Sequence, residues 1–381
     1  MGLILEYEGK EFLFKKYKIP MLEYRLVKSR EEAEKAIDEL GAPVAVKAQI
    51  LSGGRGKMGL VKFSKTKEEA LANYDEITSR EFDGRPIELI VIEKGADIKQ
   101  EVFVSMVYDT TGDVVVLFSA EGGVEIEKLA VEEPEKISRF VIPFDDEIYP
   151  YMFAAGVGKQ GFSGKVKMKI SSIIATLVKM MVKEDLQLAE INPLIITNSD
   201  DVVAIDSRIG IDEDAMFRHP ERENWLSAEL RDTPSEKDAK EHGLAYVELG
   251  GDVGMLSCGA GMGMATADLI EYYGGEPRNF LDVGGGASPE KVENALRVMV
   301  TEGGLKSILV NAFGGITRLD DVAKGIIEAK KKYNIEIPMV VRLNGTNQQE
   351  GMKILKDAGM DVYLGMEESV EKAVKLAKGE N

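Results

Sequence analysis

The sequence predicts an α/β protein of two domains, with a mixed α+β region over 1–233 and a parallel sheet over 234–381. Three observations support this prediction. The length of 381 residues exceeds that of one typical hydrophobic core. The segment 231–243 is polar, contains Pro234 and lacks apolar periodicity, which marks a domain boundary. Strands and helices follow each other irregularly before this segment and alternate regularly after it.

The composition excludes several classes of function. The chain has 48 lysine and arginine residues against 66 aspartate and glutamate residues, a net charge of −18, which disfavours nucleic acid and anionic membranes as partners. A single cysteine excludes a disulfide framework and a cysteine-ligated metal site, and it fits a reducing cytosol. Residues 1–20 indicate an amphipathic helix and not a secretory signal, and no segment could span a bilayer. We therefore expect a cytoplasmic protein.

The first elements lead to a glycine-rich loop. Residues 29–41 have helical spacing between an initial serine and a final glycine, and a strand over 43–50 follows, in which Lys47 alternates with valines. The loop 51–59, LSGGRGKMG, then brings backbone N–H groups and two cations together, a combination that suits a phosphate. It lacks the spacing of a Walker loop. The alternative is the flexible tip of a hairpin.

The rest of the first domain mixes strands with helices. The apolar patterns predict strands over 59–65 and 87–95, helices over 67–82 and 163–184, and an antiparallel strand pair over 100–110 and 113–123. This order is not a regular strand–helix alternation, and it favours a mixed α+β domain.

The stretch 188–208, LAEINPLIITNSDDVVAIDSR, predicts a β-hairpin. Two apolar runs flank the cluster 198–201, whose Asn, Ser and Asp residues are typical of a turn. Glu190 and Asn192 are two residues apart in one strand, so they share a face of the sheet. Asp206 returns on the second strand at the level of Asn192.

These three side chains predict a magnesium site. Carboxylate and amide oxygens suit Mg²⁺, which binds through one or two protein oxygens and completes its shell with substrate phosphates. Asn192 and Asp206 share a face of the sheet only if the segment that connects them has an odd length or carries a bulge. Pro193 is a candidate bulge residue because it cannot donate to a strand ladder. The alternative is an ordinary surface hairpin with solvated acids.

The second domain repeats a strand–glycine–helix unit. The predicted strands are 245–251, 254–261, 279–286, 307–315, 338–345 and 362–365, and the predicted helices are 264–275, 288–304, 317–333, 346–359 and 367–379. This alternation predicts a parallel sheet of about five strands, flavodoxin-like in type. Its glycine loops would point helix N-termini at one edge of the sheet, where anions bind. Dinucleotide binding is disfavoured, because Met264 stands at the third glycine position of the fingerprint.

In this context the chain resembles a known family over essentially its whole length. The motifs, in order, are LSGGRGKMG, EGGVEIEKLA, AEINPLIIT, NFLDVGGGA, SILVNAFGGITR and PMVVRLNGTN. They resemble the β subunit of succinate–CoA ligase (succinyl-CoA synthetase, ADP-forming). The resemblance implies an N-terminal ATP-grasp domain followed by a flavodoxin-like CoA-ligase domain. It also implies a reversible reaction in which Mg-ATP phosphorylates a histidine of a partner α subunit, succinate takes the phosphoryl group, and CoA displaces it to give succinyl-CoA.

The resemblance assigns roles to individual residues. Lys47 matches the lysine on the nucleotide phosphates, and Glu190 matches the carboxylate that meets the partner's histidine and favours its charged form. The other matched positions are Gly54, Arg55 and Gly56 in the loop over the nucleotide, Glu93 and Ala96 at the hinge that meets the base, Glu101 as a further nucleotide contact, and Asn192 and Asp206 as Mg²⁺ ligands.

The acid substrate is implied to bind in the second domain. Gly315, Ile316 and Thr317 match the loop and helix start that hold its carboxylate. Cys258 stands where the family usually has an asparagine on the substrate side, and Thr317 stands where valine is common. The alternative to succinate is therefore another acid such as malate, and the alternative role for Cys258 is that of a small buried filler.

The chain contains two histidines, His219 and His242. Neither lies in a glycine-framed loop or matches the phosphohistidine motif of the family, so both are expected at the surface or at the domain boundary. The chain is therefore predicted to depend on an α subunit for the phosphohistidine and most of the CoA site.

A rival hypothesis is that the chain is a noncatalytic regulatory subunit. The set Lys47, Glu190, Asn192 and Asp206 disfavours it, since a regulator needs no carboxylate facing the relay.

Overall fold

The computed structural model describes residues 2–82, 84–123, 126–143 and 147–380, without the side chains of Ile126, Glu127 and Arg231. Two positions of the motif EGGVEIEKLA, Val124 and Glu125, lie outside the described residues. The chain divides into two compact units, Met1–Arg231 (unit 1) and Asp232–Asn381 (unit 2).

Unit 1 mixes short and long strands with helices. Its strands are β1 (Gly2–Leu3), β2 (Tyr24–Val27), β3 (Val44–Ala48), β4 (Val61–Ser64), β5 (Glu81–Phe82), β6 (Arg85–Pro86), β7 (Ile90–Lys94), β8 (Ile98–Tyr108), β9 (Val114–Ser119), β10 (Ile137–Ile142), β11 (Leu186–Thr197), β12 (Val202–Ala204) and β13 (Arg208–Ile211). Its helices are α1 (Glu6–Glu8), a π-helical turn (Gly9–Phe14), α2 (Lys15–Tyr17), α3 (Arg30–Leu40), α4 (Lys67–Thr78), α5 (Ile126–Glu132), α6 (Tyr151–Lys159), α7 (Gly164–Lys183) and α8 (Leu226–Arg231), with 3₁₀ turns at Pro134–Lys136, Glu213–Arg218 and Pro220–Asn224.

Two antiparallel sheets organise unit 1. In the larger sheet the strand order is β1-β13-β11-β8-β9-β10, with β12 also paired to β11, and in the smaller sheet it is β2-β7-β3-β4. Helix α7 packs its apolar face on the larger sheet, and α3 and α4 cover the smaller one. The predicted mixed α+β architecture is confirmed. The predicted N-terminal helix is wrong at its start, because Gly2–Leu3 pairs as a strand with β13 and the helix begins at Glu6.

The predicted hairpin is present, and its register has the required parity. Leu194 pairs with Ala204 on one side of the site and Glu190 pairs with Arg208 on the other, so Asn192 and Asp206 fall at opposite positions. The turn is closed by hydrogen bonds between Thr197 and the residues after it, within a connection of odd length. The register of β11 against β8 shifts between Ile191 and Leu194, so a bulge at Asn192–Pro193 faces β8, whereas the register of the hairpin itself runs through these residues without a shift.

Unit 2 alternates strands and helices. Its strands are β14 (Ala245–Glu248), β15 (Val253–Ser257), β16 (Asn279–Asp282), β17 (Ser307–Gly314), β18 (Met339–Gly345) and β19 (Val362–Tyr363). Its helices are α9 (Pro234–Glu241), α10 (Ala260–Tyr272), α11 (Pro289–Glu302), α12 (Leu319–Lys332), α13 (Gln348–Asp357) and α14 (Met366–Ala377).

The sheet of unit 2 has the order β14-β16-β15-β17-β18-β19. The strands from β15 to β19 pair in parallel, in the order expected of a flavodoxin-like sheet. The first predicted strand needs a correction, because β14 is shorter than 245–251 and pairs antiparallel with β16 at the edge. Helices on both faces bury the apolar strands, which explains their continuous hydrophobic runs.

Within the described part of the chain, no helix combines the length and the apolar character needed to cross a bilayer.

Candidate active site

A cavity of about 990 Å³ in unit 1 brings together residues that are distant in sequence. Its walls are the glycine-rich loop, the ends of β3 and β7, the bulge of β11 and the segment between β12 and β13. The predicted site residues that line it are Lys47, Gly54, Arg55, Gly56, Glu93, Ala96, Glu101, Glu190, Asn192 and Asp206. The residues matched to the nucleotide, the metal and the partner's histidine therefore share one cavity.

Lys47 is buried at the end of β3 and is surrounded by oxygen atoms. Its Nζ lies 2.5 Å from a carboxylate oxygen of Glu93 and 3.2 Å from one of Glu6, and it also donates to the backbone carbonyl of Ile205. Glu93 is buried too, and its second oxygen accepts from Lys10 at 2.5 Å. The Glu93 side chain thus holds two lysines in this structure, which is a different contact from the base contact that the resemblance implied.

Arg55 ties the glycine-rich loop to the floor of the cavity. Its guanidinium lies 2.7 Å from Glu6 and 2.6 Å from Asp206, and it donates to the carbonyl of Ala48 at 3.0 Å. The side chain is buried despite its position in a loop of glycines. The loop is therefore fastened by its arginine and is not a freely moving hairpin tip.

The interactions among Glu6, Lys47 and Arg55 favour the charged forms of these three side chains. Burial alone would lower the pKa of Lys47 and of Arg55, because it disfavours the charged form. The neighbouring carboxylates outweigh burial, so both pKa values are raised. For Glu6, burial acts to raise the pKa, but the three adjacent cations hold it well below its ordinary value. Glu6, Lys47 and Arg55 are consequently charged over the whole physiological pH range.

Asn192 and Asp206 present oxygen atoms on the two sides of the hairpin. Asn192 Oδ1 accepts from the N–H of Gly123 at 2.8 Å, and Asp206 Oδ1 accepts from Arg55 and from the N–H of Ser207 at 2.8 Å. Both residues are partly exposed to the cavity. An amide and a carboxylate at facing positions of one hairpin suit a hard divalent cation that takes its other ligands from phosphate and water. The residues therefore fit the predicted Mg²⁺ site.

Glu190 lies on the wall of the same cavity, two residues before Asn192. The nearer of its two oxygens is 3.9 Å from Nη1 of Arg208, which is half-exposed. The side chain of Glu190 is mostly buried, yet it reaches the cavity. It is thus placed to meet a group that enters the cavity.

The residues matched to the acid substrate lie in unit 2, at the carboxyl ends of two neighbouring parallel strands. Cys258 directly follows β15, and Gly315–Thr317 follow β17. The hydroxyl of Thr317 is buried and accepts from the N–H of Gly286 at 3.0 Å, so it joins two loops. Ile316 is 84% exposed. The loop therefore presents its backbone, and not the threonine hydroxyl, to a ligand.

Asp282 organises the adjacent loops. One of its carboxylate oxygens accepts from the N–H of Gly259 at 2.6 Å and from the N–H of Gly284 at 2.7 Å. Burial, together with the charge of Asp282, raises the pKa of the Cys258 thiol to about 12. The thiol is therefore neutral at physiological pH.

This neutrality gives a testable result for the chain's single cysteine. We expect alkylation of Cys258 by iodoacetamide at pH 8 to be on the order of 10²–10³ slower than that of an exposed cysteine, because the thiolate is the nucleophile. A mass-spectrometric time course measures the rate, and the same chain unfolded in guanidinium is the control. Labelling at the rate of the unfolded chain would contradict this environment of Cys258.

The two histidines belong to different units. His219, in unit 1, is within 2.8 Å of Asp185, next to a bidentate pair between Arg218 and the same aspartate. His242, in unit 2, directly follows α9 and is exposed. Among the described residues of unit 1, no histidine lines the cavity of about 990 Å³.

The ion pairs described above join Glu6, Lys10, Lys47, Arg55, Glu93 and Asp206 into one charged cluster. The sequence-based prediction did not identify two of its members. Glu6 and Lys10 are four residues apart in the N-terminal helical segment, and both are buried. An i, i+4 charge pair usually lies on a solvated helix face, so the spacing alone did not identify them. The available signal was their position among apolar residues on both sides of the pair.

Comparisons with known proteins agree with this geometry. The family model of an ATP-grasp domain matches residues 3–196, and that of a CoA-ligase matches residues 256–377. The β subunit of ADP-forming succinate–CoA ligase from Ignicoccus hospitalis is 43% identical over 98% of this chain and 99% of its own length. The subunits of the same name from Halorubrum lacusprofundi and Burkholderia vietnamiensis are each 41% identical, over 94% and 99% of this chain and 95% and 99% of their own lengths.

A solved structure agrees with the fold. ATP citrate lyase from Methanothrix soehngenii, in complex with citrate and coenzyme A, matches with a TM-score of 0.70 and 21% identity over 100% of both chains. At this identity the match concerns the fold alone. Because two domain models match in order and full-length relatives exceed 40% identity, the chain belongs to the family of ADP-forming succinate–CoA ligase β subunits, acid–thiol ligases that combine an ATP-grasp domain with a CoA-ligase domain.

Proposed function

We propose that this chain works with an α subunit to convert succinate, CoA and ATP into succinyl-CoA, ADP and phosphate, reversibly, through a phosphohistidine on the α subunit. One observation carries the proposal: the residues matched to nucleotide, metal and relay histidine line a single cavity. The relatives are named for succinate, which favours this acid over malate. We further propose that the complex works in the cytoplasm.

At the nucleotide end of the site, Lys47 and Arg55 are the residues that would bind phosphate oxygens. Both carry full charge, and both point into the cavity beside backbone N–H groups of the glycine-rich loop. Asn192 and Asp206 would hold Mg²⁺, which when bound supplies neutralisation of the phosphate charge. Ala96 and the strand end around it would meet the base.

At the relay end, Glu190 would accept a hydrogen bond from the imidazole of the α subunit. A carboxylate at this position favours the imidazolium form and fixes the orientation of the ring. In unit 2, the backbone N–H groups of Gly315–Thr317 at the start of α12 would bind the acid's carboxylate. Cys258 contributes a neutral side chain near that loop, and so it adds no repulsion toward an anion.

The proposal is tested by assembling the complex. The chain would be co-purified with its cognate α subunit, and CoA-dependent ADP release would be measured with succinate, malate and other dicarboxylic acids, each with ATP and with GTP. We expect the highest kcat/KM with succinate. Malate as the preferred acid would contradict the substrate assignment, and nucleotide binding without acyl-CoA formation would support a regulatory subunit instead.

The metal assignment gives its own prediction. Asp206→Ala and Asn192→Ala should each weaken binding of Mg-ADP by about 10- to 100-fold, because water replaces a first-shell oxygen only in part. Asp201→Ala is the matched control, since this aspartate lies on the surface in the turn of the same hairpin and pairs with Lys169. Isothermal titration with Mg-ADP measures the affinity of the parent and of each variant. An Asp206→Ala chain that binds Mg-ADP like the parent would show that the metal lies elsewhere.

A further inference from the structure

A carboxylate already contacts the two cations that would bind the nucleotide. Glu6 comes from the N-terminal helical segment, lines the cavity and is almost fully buried. Its two oxygens face Lys47 at 3.2 Å and Arg55 at 2.7 Å. A phosphate group that binds Lys47 and Arg55 must therefore compete with the carboxylate of Glu6 for the same donors.

A third cation lies behind this carboxylate. Lys10 is fully buried and bridges Glu6 and Glu93, with its Nζ 2.5 Å from each, and it also donates to the carbonyl of Ile205 at 3.0 Å. Lys10 does not line the cavity, whereas Glu6, Glu93 and Lys47 do. It is thus a cation that phosphate does not reach.

This arrangement solves an energetic problem. If phosphate withdrew Lys47 and Arg55 from Glu6, a buried carboxylate without a partner would remain, and such a charge is strongly destabilising. Lys10 prevents this, because it stays within contact of both Glu6 and Glu93 whichever partner Lys47 takes. The cluster can therefore exchange one set of ion pairs for another without leaving a buried charge unpaired.

We propose that Glu6 is a resident counter-ion that competes with the nucleotide phosphates for Lys47 and Arg55, and that Lys10 neutralises Glu6 when the nucleotide takes them. Glu6 and Lys10 are positioning residues that set the affinity of the site. The inference rests on the proposed nucleotide site. It adds the prediction that two buried members of one ion cluster affect affinity in opposite directions.

Glu6→Gln and Lys10→Met are expected to change the affinity for ADP in opposite directions, because phosphate replaces Glu6 as the partner of Lys47 and Arg55. Glu6→Gln keeps the size of the side chain and removes the competing charge, so we expect ADP in EDTA to bind about tenfold more tightly. Lys10→Met removes the cation that remains after the exchange, so we expect ADP to bind at least about tenfold more weakly. The double variant should bind within about threefold of the parent, because it loses the competitor and its neutralising partner together.

The experiment is isothermal titration of the full-length chain with ADP in EDTA, with inorganic tripolyphosphate as a second probe that lacks a base. Glu8→Gln is the matched control, since Glu8 is a buried carboxylate in the same helix that accepts from the N–H groups of Leu5 and Ser227. It makes the same change of charge without touching Lys47 or Arg55. Circular dichroism and melting temperature check that each variant is folded.

The outcomes separate the two levels of the proposal. Tighter binding by Glu6→Gln and unchanged binding by Glu8→Gln support the counter-ion exchange. Weaker binding by Glu6→Gln, or equal tightening by both glutamine variants, would overturn it, since the first indicates a purely structural role and the second a general effect of charge. These results require only Glu6→Gln and its control Glu8→Gln, should Lys10→Met fail to fold. If the parent binds ADP neither with nor without Mg²⁺, the proposed nucleotide site itself is wrong.

Discussion

Replacing Glu190 with glutamine is expected to slow phosphorylation of the α subunit by ATP about 10²- to 10⁴-fold, the usual contribution of a positioned acid–base or orienting group. The affinity for ADP should change little, because glutamine keeps the size and one hydrogen-bonding oxygen. The variant loses only the negative charge that favours an imidazolium and draws the ring into line. The position of Glu190 two residues before Asn192, in the same cavity that Lys47 lines from β3, is the structural basis of this expectation.

The two half-reactions provide an internal control for Glu190→Gln. Rapid-quench measurements would follow phosphorylation of the α subunit by labelled ATP, and separately the discharge of phosphorylated α subunit by succinate and CoA. The first rate should fall strongly. The second should stay within about twofold of the parent, because it depends on the acid site of unit 2. Equal slowing of both would mean that Glu190 supports the hairpin and not the relay.

Replacing Gly345 with alanine is expected to lower the free energy of unfolding by roughly 2–6 kcal/mol, the sum of backbone strain and overpacking. Gly345 has a φ of +136°, and an added Cβ would lie 2.1 Å from the carbonyl oxygen of Gly314. The next residue, Thr346, donates its N–H to that same oxygen at 3.0 Å. The glycine therefore lets the end of β18 pack against the end of β17, directly before the loop that carries the acid-site residues.

Gly359 is a matched control for this substitution. It also has a positive φ, +74°, but an added Cβ would meet no atom within 4 Å. Gly359→Ala should therefore cost only the strain, about 1 kcal/mol. Urea unfolding followed by circular dichroism measures both variants. A Gly345→Ala chain no less stable than Gly359→Ala would show that the end of β18 can move away from Gly314.

The hairpin was predictable because the pairing of its residues follows from the number of residues between them. Strand side chains alternate with a period of two, so Asn192 and Asp206 face each other once the connection between them has an odd length. The flavodoxin-like sheet was predictable for a related reason, since strand, glycine loop and helix recur in one order from residue 253 onward. In both cases the local order of residues also indicates which strands pair with each other.

The charged cluster was not predictable in the same way. Glu6, Lys47 and Glu93 come from different elements, and their ion pairs depend on how the N-terminal segment packs against the smaller sheet. The resemblance implied that Glu93 lies at the hinge that meets the base, and it did not indicate that the Glu93 side chain would hold Lys10 and Lys47. The edge strand β14 runs antiparallel for a comparable reason, because its direction is set by pairing with β16 and not by its own residues.

The residue roles proposed for the nucleotide cavity share one premise, which is that the phosphoryl acceptor belongs to the other subunit. In unit 1, His219 is held by Asp185 and does not line the cavity. Phosphate on a histidine is stable in base and labile in acid, so the acceptor can be identified chemically. Arg55, Lys47 and Glu190 would then act on a group that arrives from outside this chain.

The most direct test is therefore to incubate the chain with γ-labelled ATP and Mg²⁺, alone and together with the α subunit, and to measure base-stable label on each polypeptide. We expect no stable label and no acyl-CoA from the chain alone, and we expect label on the α subunit that succinate and CoA discharge. Base-stable phosphohistidine on the isolated chain would contradict it.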